Sequence, residues 1–265
     1  MQSAAINGMT LHYDVEGSAS NPTIVFSNSL GTDFRIWNAV IDLLSDRYRL
    51  VLYDKRGHGL SSLPDSSLTM DDHIDDLIGL IEHLDCGQAV LCGLSVGGQI
   101  AQGVYGKRPD LVDGLILMDT AHKIGSTDMW NDRIAGVRGD GIASISNSIL
   151  ERWFTDDFRA NDPNFPLYRA MLERTPVAGY AGTCEALRDS DFTATARSIK
   201  VPTLLLVGER DGSTPPDLVR STADLIEGSR FEIIANAGHL PNIEQPDAVV
   251  RHIRSFLKTV ENEAP

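Results

Sequence analysis

Short, continuously apolar runs recur along the chain, each bounded by turn residues, and they restrict the possible folds more than any other feature. Strands with one face in solvent alternate apolar and polar residues, whereas continuous runs are typical of strands covered on both faces. The runs that we predict to be strands are TIVFS (23–27), RLVLYD (49–54), AVLCG (89–93), LILMD (115–119), TLLLVG (203–208) and FEIIA (231–235).

Helical patterns lie between these runs. Residues 69–84 place apolar side chains on one face, with Thr69 as a candidate N-cap and acidic residues in the first turn. The stretches 215–226 and 246–257 are similar, and both begin at proline. This alternation of strands and helices predicts an α/β fold, in which a mostly parallel, twisted sheet has helices on both faces.

Two intervals depart from this rhythm. The opening segments 3–6 and 11–15 are interpreted as a small antiparallel hairpin at one edge of the sheet, which makes LILMD the sixth strand. About 80 residues after LILMD have helical character and no convincing strand, and a structureless loop of that length is improbable in a compact domain. We therefore predict a helical cap at 122–196, inserted after strand 6, and a core formed by residues 1–121 and 197–265.

The net charge of −14 argues against nucleic acid or an anionic membrane surface as a partner. It permits a small anionic substrate held by a local cation, because remote charges are screened over about 8 Å at physiological salt. The first residues do not read as a secretory signal, and no apolar run approaches the roughly 20 residues of a membrane span. A cytoplasmic location is therefore expected, with reduced cysteines that serve in packing: Cys86, Cys92 and Cys184.

Ser95 stands in the pentad GLSVG (93–97), after a predicted strand and before a predicted helix. A strand that reverses sharply into a helix strains its turn residue, and glycines two positions before and after avoid clashes. Such a turn lifts a hydroxyl clear of the sheet and directs a helix N-terminus at it, where negative charge is stabilised. The pattern indicates that Ser95 is a nucleophile; a serine in an ordinary glycine-rich turn is the alternative.

A serine nucleophile needs a histidine base and an acid that orients the histidine, in the chain order Ser, Asp or Glu, His. Asp211 and His239 each follow a predicted strand and are expected at the carboxyl edge of the sheet beside Ser95. Asp119 also ends a strand and is the alternative acid. No metal-ligand cluster stands out, and no cofactor is expected. Histidines in the hairpin or on helix surfaces are interpreted as solvated: His12, His73, His83 and His252.

The tetrahedral intermediate of acyl transfer needs two N–H donors for its oxyanion. One is expected from Val96, which follows the nucleophile, and the other from the loop NSLGTD (28–33). Leu30 is the best candidate in that loop because Gly31 beside it lets the backbone turn. An ordinary glycine turn is the alternative interpretation.

With these residues in place, the chain resembles the α/β-hydrolases over essentially its full length. The oxyanion loop usually reads His-Gly in that family, but Asn28-Ser29 stands here, and SNSLGTD resembles the 3-oxoadipate enol-lactonases. The D-x-R-G-x-G-x-S motif is shared widely, whereas the cap motifs are more specific to this group. The other motifs that carry the resemblance are YDKRGHGLS (53–61), MWNDRI (129–134), ERWFT (151–155) and TPVAGYAGTCEALRDSD (175–191).

The resemblance implies hydrolysis of 3-oxoadipate enol-lactone in the β-ketoadipate route of aromatic degradation. Other cofactor-free hydrolases on the same scaffold remain alternatives: a carboxylesterase, a carbon–carbon bond hydrolase or a perhydrolase. A non-catalytic ligand-binding protein is a further alternative. The residues that match the family's positions are Ser95 as nucleophile, Asp211 as acid, His239 as base, and Leu30 and Val96 as oxyanion donors.

A small lactone with a free carboxylate needs a cation and an apolar wall. Arg133 and Trp130 are three residues apart and so are neighbours on one helical face. We predict that Arg133 binds the carboxylate and that Trp130, with Trp153, shapes the ring site; a surface arginine with two core tryptophans is the alternative. The segment 54–56 (Asp-Lys-Arg) is interpreted as structural charge pairs beneath the site.

Overall fold

A single sheet of eight strands lies at the centre of the part of the chain that the computed structural model describes, residues 1–63 and 67–263. The strands are β1 (Gln2–Ile6), β2 (Met9–Glu16), β3 (Thr23–Ser27), β4 (Arg49–Tyr53), β5 (Ala89–Leu94), β6 (Val112–Met118), β7 (Thr203–Gly208) and β8 (Arg230–Ile234). Their spatial order is β1-β2-β4-β3-β5-β6-β7-β8. All pairings from β4 to β8 are parallel, so the predicted mostly parallel sheet is confirmed.

The two edges of the sheet differ from its centre. β1 and β2 form an antiparallel hairpin, and β2 also runs antiparallel to β4, as the opening segments predicted. All residues of β3, β5 and β7 are buried, in agreement with their continuously apolar sequences. β8 has a neighbour on one side only and is partly exposed, with Ile233 at 49%.

Helices cover the sheet. At the start of α2 the Thr69 hydroxyl accepts a hydrogen bond from the Asp72 N–H, and the Asp72 carboxylate accepts one from the Thr69 N–H, which confirms the predicted N-cap. None of the helices described is both long and apolar enough to cross a membrane. The helices are α1 (Asn38–Leu44), α2 (Met70–His83), α3 (Val96–Lys107), α4 (Thr127–Asp140), α5 (Ser146–Trp153), α6 (Asp156–Asn161), α7 (Phe165–Glu173), α8 (Val177–Arg188), α9 (Thr193–Ser198), α10 (Pro216–Ala223), α11 (Pro241–Glu244) and α12 (Pro246–Glu263).

Helices α4 to α9 occupy the chain between β6 and β7. Helix α8 packs against α4 and also reaches the core, where its Gly179 meets Gly57 in the loop after β4. A Cβ on Gly179 would lie 2.0 Å from the Gly57 carbonyl oxygen, so the two backbones are in direct contact. We propose that residues 122–196 form a cap domain on the core formed by residues 1–121 and 197–265.

One of the two histidines of α2 corrects an expectation. His73 was predicted to be solvated, but it is buried, with its Nε2 atom 3.1 Å from the Thr183 hydroxyl of α8. That prediction was wrong because α8 covers this face of α2, a contact between distant segments that the helical pattern does not reveal. His12 is also partly buried, 2.8 Å from the Asp54 carboxylate.

Candidate active site

The GLSVG pentad forms the sharp turn between β5 and α3. Ser95 has φ +59° and ψ −120°, a strained backbone conformation for a residue with a side chain. A Cβ on Gly93 would lie 2.2 Å from the Gly97 carbonyl oxygen, and one on Gly97 would lie 2.1 Å from the Ser27 carbonyl oxygen. Both glycines are therefore required by close backbone approach.

Main-chain hydrogen bonds hold the Ser95 turn in place. The Ser95 N–H donates to the Met118 carbonyl at 2.9 Å, and the Thr120 hydroxyl donates to the Ser95 carbonyl at 2.6 Å. Both Met118 and Thr120 lie at the carboxyl end of β6, so the neighbouring strand supports the turn. The Ser95 side chain is left at the wall of a cavity together with His239.

Asp211 and His239 lie in the loops after β7 and β8, and they form a buried hydrogen-bonded pair. The His239 Nδ1 atom is 2.8 Å from Asp211 Oδ2. The Thr214 hydroxyl donates to the same oxygen at 2.7 Å, while the N–H groups of Ser213 and Thr214 donate to Oδ1 at 2.7 and 3.0 Å. Burial opposes ionisation of Asp211, but the His239 charge and these hydrogen bonds outweigh it and lower the pKa of the carboxyl.

Asp119, the alternative acid, lies directly behind this pair. Its Oδ1 accepts a hydrogen bond from the Gly208 N–H at 2.8 Å, and its Oδ2 has no hydrogen-bond partner among the described residues. Burial and the neighbouring Asp211 charge raise the pKa of Asp119 well above its usual value. The folded protein therefore favours the protonated form of Asp119, and the hydrogen bond to His239 is made by Asp211.

Within residues 1–63 and 67–263, one group has the spacing of a metal site: Asp119, Asp211 and His239, whose ligand atoms lie within 4.8 Å of one another. The two oxygens of Asp211 already accept four hydrogen bonds, which matches the acceptor capacity of a carboxylate. Burial and the Asp211 charge favour a proton on Asp119, which makes it a weaker ligand for a cation. This donor set is thus suited to moving a proton through His239 rather than to holding a cation.

The two residues predicted as oxyanion donors lie on either side of the Ser95 turn. Val96 is the first residue of α3, and Leu30 lines the cavity in the loop after β3. Neither N–H has an acceptor within the described part of the chain. Gly31 follows Leu30 with φ +73°, and a Cβ there would lie 2.7 Å from the Leu172 side chain. The backbone turn thus needs glycine, as the sequence suggested.

A cavity of about 130 Å³ brings the predicted cap residues to Ser95 and His239. Trp130, Arg133 and Trp153 all line it. The Trp130 indole N–H donates to the Ile124 carbonyl at 2.7 Å, and the Arg133 guanidinium lies 5.0 Å above the Trp130 ring. Arg133 and Trp130, three residues apart on α4, are therefore neighbours that line one small cavity.

Arg152 lines the same cavity and was missed in the sequence. Neither Arg133 nor Arg152 has a carboxylate partner within the part of the chain that the structure describes. Burial lowers the pKa of Arg152, and the charge of nearby Arg133 lowers it further. Two guanidinium groups that repel each other would both be stabilised by an anion between them. Arg152 stands beside Trp153 in the ERWFT motif, and this position was the sequence signal from which a role for Arg152 could have been predicted.

Replacing Asp119 with asparagine is expected to stabilise the protein above about pH 5. The folded state keeps a proton on Asp119 that the unfolded chain loses above about pH 4, so the free energy of unfolding falls as pH rises, by up to about 1.4 kcal/mol per pH unit. Asparagine has no such proton, accepts the same Gly208 hydrogen bond, and tolerates the φ of +46° at this position. Urea unfolding of both proteins from pH 5 to pH 8 measures the difference; equal slopes would mean that Asp119 is ionised.

Comparison with known proteins places this chain among hydrolases. The sequence model of the alpha/beta hydrolase family matches residues 24–252. The chain is 34% identical over 251 residues to 3-oxoadipate enol-lactonase 2 of Acinetobacter baylyi, a match that covers 94% of each chain. It is also 34% identical to 3-oxoadipate enol-lactonase 1 of that organism, over 96% of this chain and 95% of the relative.

Solved structures of hydrolases are also similar to this chain. The enol-lactonase from Burkholderia xenovorans LB400 superposes with a TM-score of 0.94 at 35% identity, over 97% of this chain and 100% of that one. A thermophilic esterase from Thermogutta terrifontis superposes with a TM-score of 0.92 at 31% identity, over 98% and 99% of the two chains. Because the family match spans most of the sequence and the relatives exceed 30% identity, this chain belongs to the α/β-hydrolase family.

Proposed function

We propose that this protein hydrolyses the enol-lactone of 3-oxoadipate to 3-oxoadipate through an acyl-enzyme on Ser95. The observation that carries the proposal is a cavity of about 130 Å³ in which Ser95 and His239 face two guanidinium groups that lack carboxylate partners. The enol-lactonase relatives support it. This function belongs to the β-ketoadipate route of aromatic degradation, and we propose a cytoplasmic location.

In the first step His239 Nε2 accepts the proton of the Ser95 hydroxyl as its oxygen attacks the lactone carbonyl carbon. Asp211 holds His239 in the tautomer that leaves Nε2 free to accept this proton. Negative charge develops on the carbonyl oxygen, where the N–H groups of Leu30 and Val96 donate to it. One donor of this kind lowers a barrier by about 3–4 kcal/mol.

Collapse of this intermediate breaks the ring C–O bond. The proton on His239 passes to the enolate oxygen, and the enol rearranges to a ketone, which makes ring opening strongly favourable. A water molecule then gives a proton to His239 and attacks the acyl carbon, and the same proton returns to the Ser95 oxygen as the ester breaks. The product is a dicarboxylate, and the serine is regenerated.

Arg133 and Arg152 provide the local positive charge that a carboxylated lactone requires. A charge-assisted hydrogen bond contributes about 1.5–3 kcal/mol, enough to favour a carboxylated lactone over a neutral one by about 10- to 150-fold. Trp130 and Trp153 provide the apolar wall for the ring. The small volume of the cavity suits a compact substrate beside Ser95.

A carboxylesterase is the second candidate function. It is favoured by the Thermogutta terrifontis esterase, which was solved with malate, a small dicarboxylate, bound. The same Ser95 chemistry would cleave an open-chain ester, so the two functions differ in the leaving group and in the need for a substrate carboxylate. Loss of the ultraviolet absorption of 3-oxoadipate enol-lactone, compared with hydrolysis of p-nitrophenyl acetate, distinguishes them. We expect a kcat/KM at least about 10-fold higher for the lactone; a higher value for the neutral ester would favour the carboxylesterase.

Replacing Arg133 or Arg152 with alanine is expected to lower kcat/KM for the enol-lactone by about 10- to 150-fold, mainly through a higher KM. Hydrolysis of p-nitrophenyl acetate should change less than about threefold, because that ester has no carboxylate to bind. The matched control is Arg138→Ala, since Arg138 lies on α4 with Arg133 but pairs with Glu185 at 2.9 Å outside the cavity. Steady-state kinetics on both substrates measure the effect.

Two results would contradict these roles. An unchanged KM for the lactone in both arginine variants would mean that the carboxylate binds elsewhere. An equal loss on the lactone and on the neutral ester would mean that each arginine supports the shape of the cavity instead.

A further inference from the structure

Lys55 is a buried lysine beneath the loop that contains Leu30. It is 1% exposed and follows β4. Its neighbour Arg56 forms an ion pair with Asp76 at 2.6 Å, and the Asp54 carboxylate lies 2.8 Å from Nδ1 of His12. Lys55 itself has no ion pair among the described residues. The interpretation of this segment as charge pairs therefore holds for Arg56 and was wrong for Lys55.

The Lys55 ammonium is directed at main-chain carbonyls instead. Its Nζ atom donates to the Ser29 carbonyl at 2.8 Å and to the Asn28 carbonyl at 3.2 Å. Burial lowers the pKa of Lys55 to about 7, while the charges of Asp54 and Asp33 act in the opposite direction. An amine keeps two N–H donors even when it loses its proton, so both contacts persist on either side of that pH.

The peptide bond between Ser29 and Leu30 links this contact to the cavity. In a trans peptide the carbonyl of one residue and the N–H of the next point in opposite directions. No peptide bond is cis in the described residues. Lys55 is buried and does not line the cavity, whereas Leu30 does. A Ser29 carbonyl bound by Lys55 therefore favours a Leu30 N–H that is turned towards the cavity.

Other contacts fix the same loop without binding the Ser29 carbonyl. The Asn28 side chain donates to the Tyr53 carbonyl at 2.9 Å and accepts from the Trp37 indole at 3.0 Å. Only Thr32, whose hydroxyl donates at 2.9 Å, joins Lys55 in binding the Ser29 carbonyl within the described chain. Burying an amine without a carboxylate partner destabilises the folded state. If packing alone mattered at position 55, an apolar residue would be expected there.

We propose that Lys55 is a positioning residue for the oxyanion hole: by binding the Ser29 carbonyl it aims the Leu30 N–H at the carbonyl oxygen under attack. The proposal rests on the acyl-enzyme chemistry at Ser95 but not on the identity of the lactone. An oxyanion donor acts on the transition state and not on the bound substrate, so its misplacement lowers kcat and leaves KM nearly unchanged.

Lys55→Met, which keeps an unbranched side chain one atom shorter than lysine and removes its donors, tests this. With p-nitrophenyl acetate we expect kcat to fall by about 10- to 100-fold and KM to change less than about threefold. Phenylboronic acid forms a tetrahedral adduct with a serine nucleophile, and its affinity should fall by a similar factor. The affinity for adipate, which mimics only the bound ground state, should stay within about threefold.

Thr32→Val provides the second variant, because it removes the other donor to the Ser29 carbonyl with little change in shape. It should lower kcat and boronate affinity in the same direction even if Lys55→Met does not fold. Lys55→Gln keeps an N–H donor on a shorter side chain and should recover part of the loss. Arg56→Lys disturbs the adjacent buried charge, which pairs with α2, and should lower the melting temperature without a selective loss of boronate affinity.

Unchanged kcat and boronate affinity in both Lys55→Met and Thr32→Val would overturn the proposal. So would an equal loss of adipate and boronate affinity, since that result describes a general loosening of the site. A wild-type protein that hydrolyses p-nitrophenyl acetate but not the enol-lactone would disprove the proposed substrate only, and kcat and KM for p-nitrophenyl acetate together with boronate affinity would still decide the role of Lys55.

Discussion

Replacing Ser95 with alanine is expected to lower kcat for the enol-lactone by about 10⁶-fold while the protein stays folded. Without the hydroxyl no acyl-enzyme forms, and the remaining cavity can only bind the lactone. Alanine and serine experience the same backbone strain at φ +59°, so the turn itself should survive. Stopped assays with high enzyme concentration measure the residual rate, and the melting temperature reports folding.

Ser213→Ala is the matched control for this variant. Ser213 lines the same cavity, but only its main-chain N–H contacts Asp211, so loss of its hydroxyl should change kcat by less than about threefold. A fluorophosphonate probe should label the wild type and Ser213→Ala, and it should not label Ser95→Ala. Residual activity above about a thousandth in Ser95→Ala would identify another nucleophile, and a wild type that forms no adduct would favour a non-catalytic binding protein.

The strands could be predicted from the sequence because burial on both faces leaves them almost without polar residues. β3 and β7 begin and end where their apolar runs do. β6 begins at Val112 rather than at Leu115, since pairing with β5 recruits Val112 and Gly114 into the sheet. Contact with a distant strand leaves no local sequence pattern. The sequence therefore predicted that β6 exists but placed its first residue too late in the chain.

The proposed catalytic residues were predictable because parallel strands end at one edge of a sheet. Ser95, Asp211 and His239 each follow a strand that the sequence reveals. Arg152 was not predicted, since its place depends on contact between segments far apart in the chain. The Gly212 N–H donates to the Arg152 carbonyl at 3.3 Å, which fixes this cap residue beside the loop of the proposed acid.

The departure Asn28-Ser29 in the oxyanion loop has a physical counterpart. The Asn28 amide is buried and binds the Tyr53 carbonyl and the Trp37 indole, so it fastens the loop to β4 and to the helical turn after β3. The sequence showed that this position differs from the usual His-Gly, but its partners lie on other elements. Their roles could be assigned only when the fold had brought them together.

Replacing Asp211 with asparagine is expected to lower kcat by about 10⁴-fold. An asparagine amide can donate a hydrogen bond to His239 Nδ1, which places the imidazole proton on Nε2, where it cannot accept the proton of Ser95. The variant would also lack the carboxylate charge that stabilises the imidazolium of His239 through the present 2.8 Å contact. Steady-state kinetics at pH 7 to 8 measure the loss, and ¹⁵N NMR of the histidine ring reports the tautomer.

Asp119→Asn separates the two candidate acids because it makes the same chemical change behind Asp211. The folded protein favours the protonated form of Asp119, so a neutral asparagine that still accepts from the Gly208 N–H should change kcat by less than about fivefold. The same variant should be more stable than the wild type at pH 8, which excludes unfolding as a cause of any loss. A large loss in Asp119→Asn with little loss in Asp211→Asn would make Asp119 the acid that orients His239. The reverse order would assign that role to Asp211.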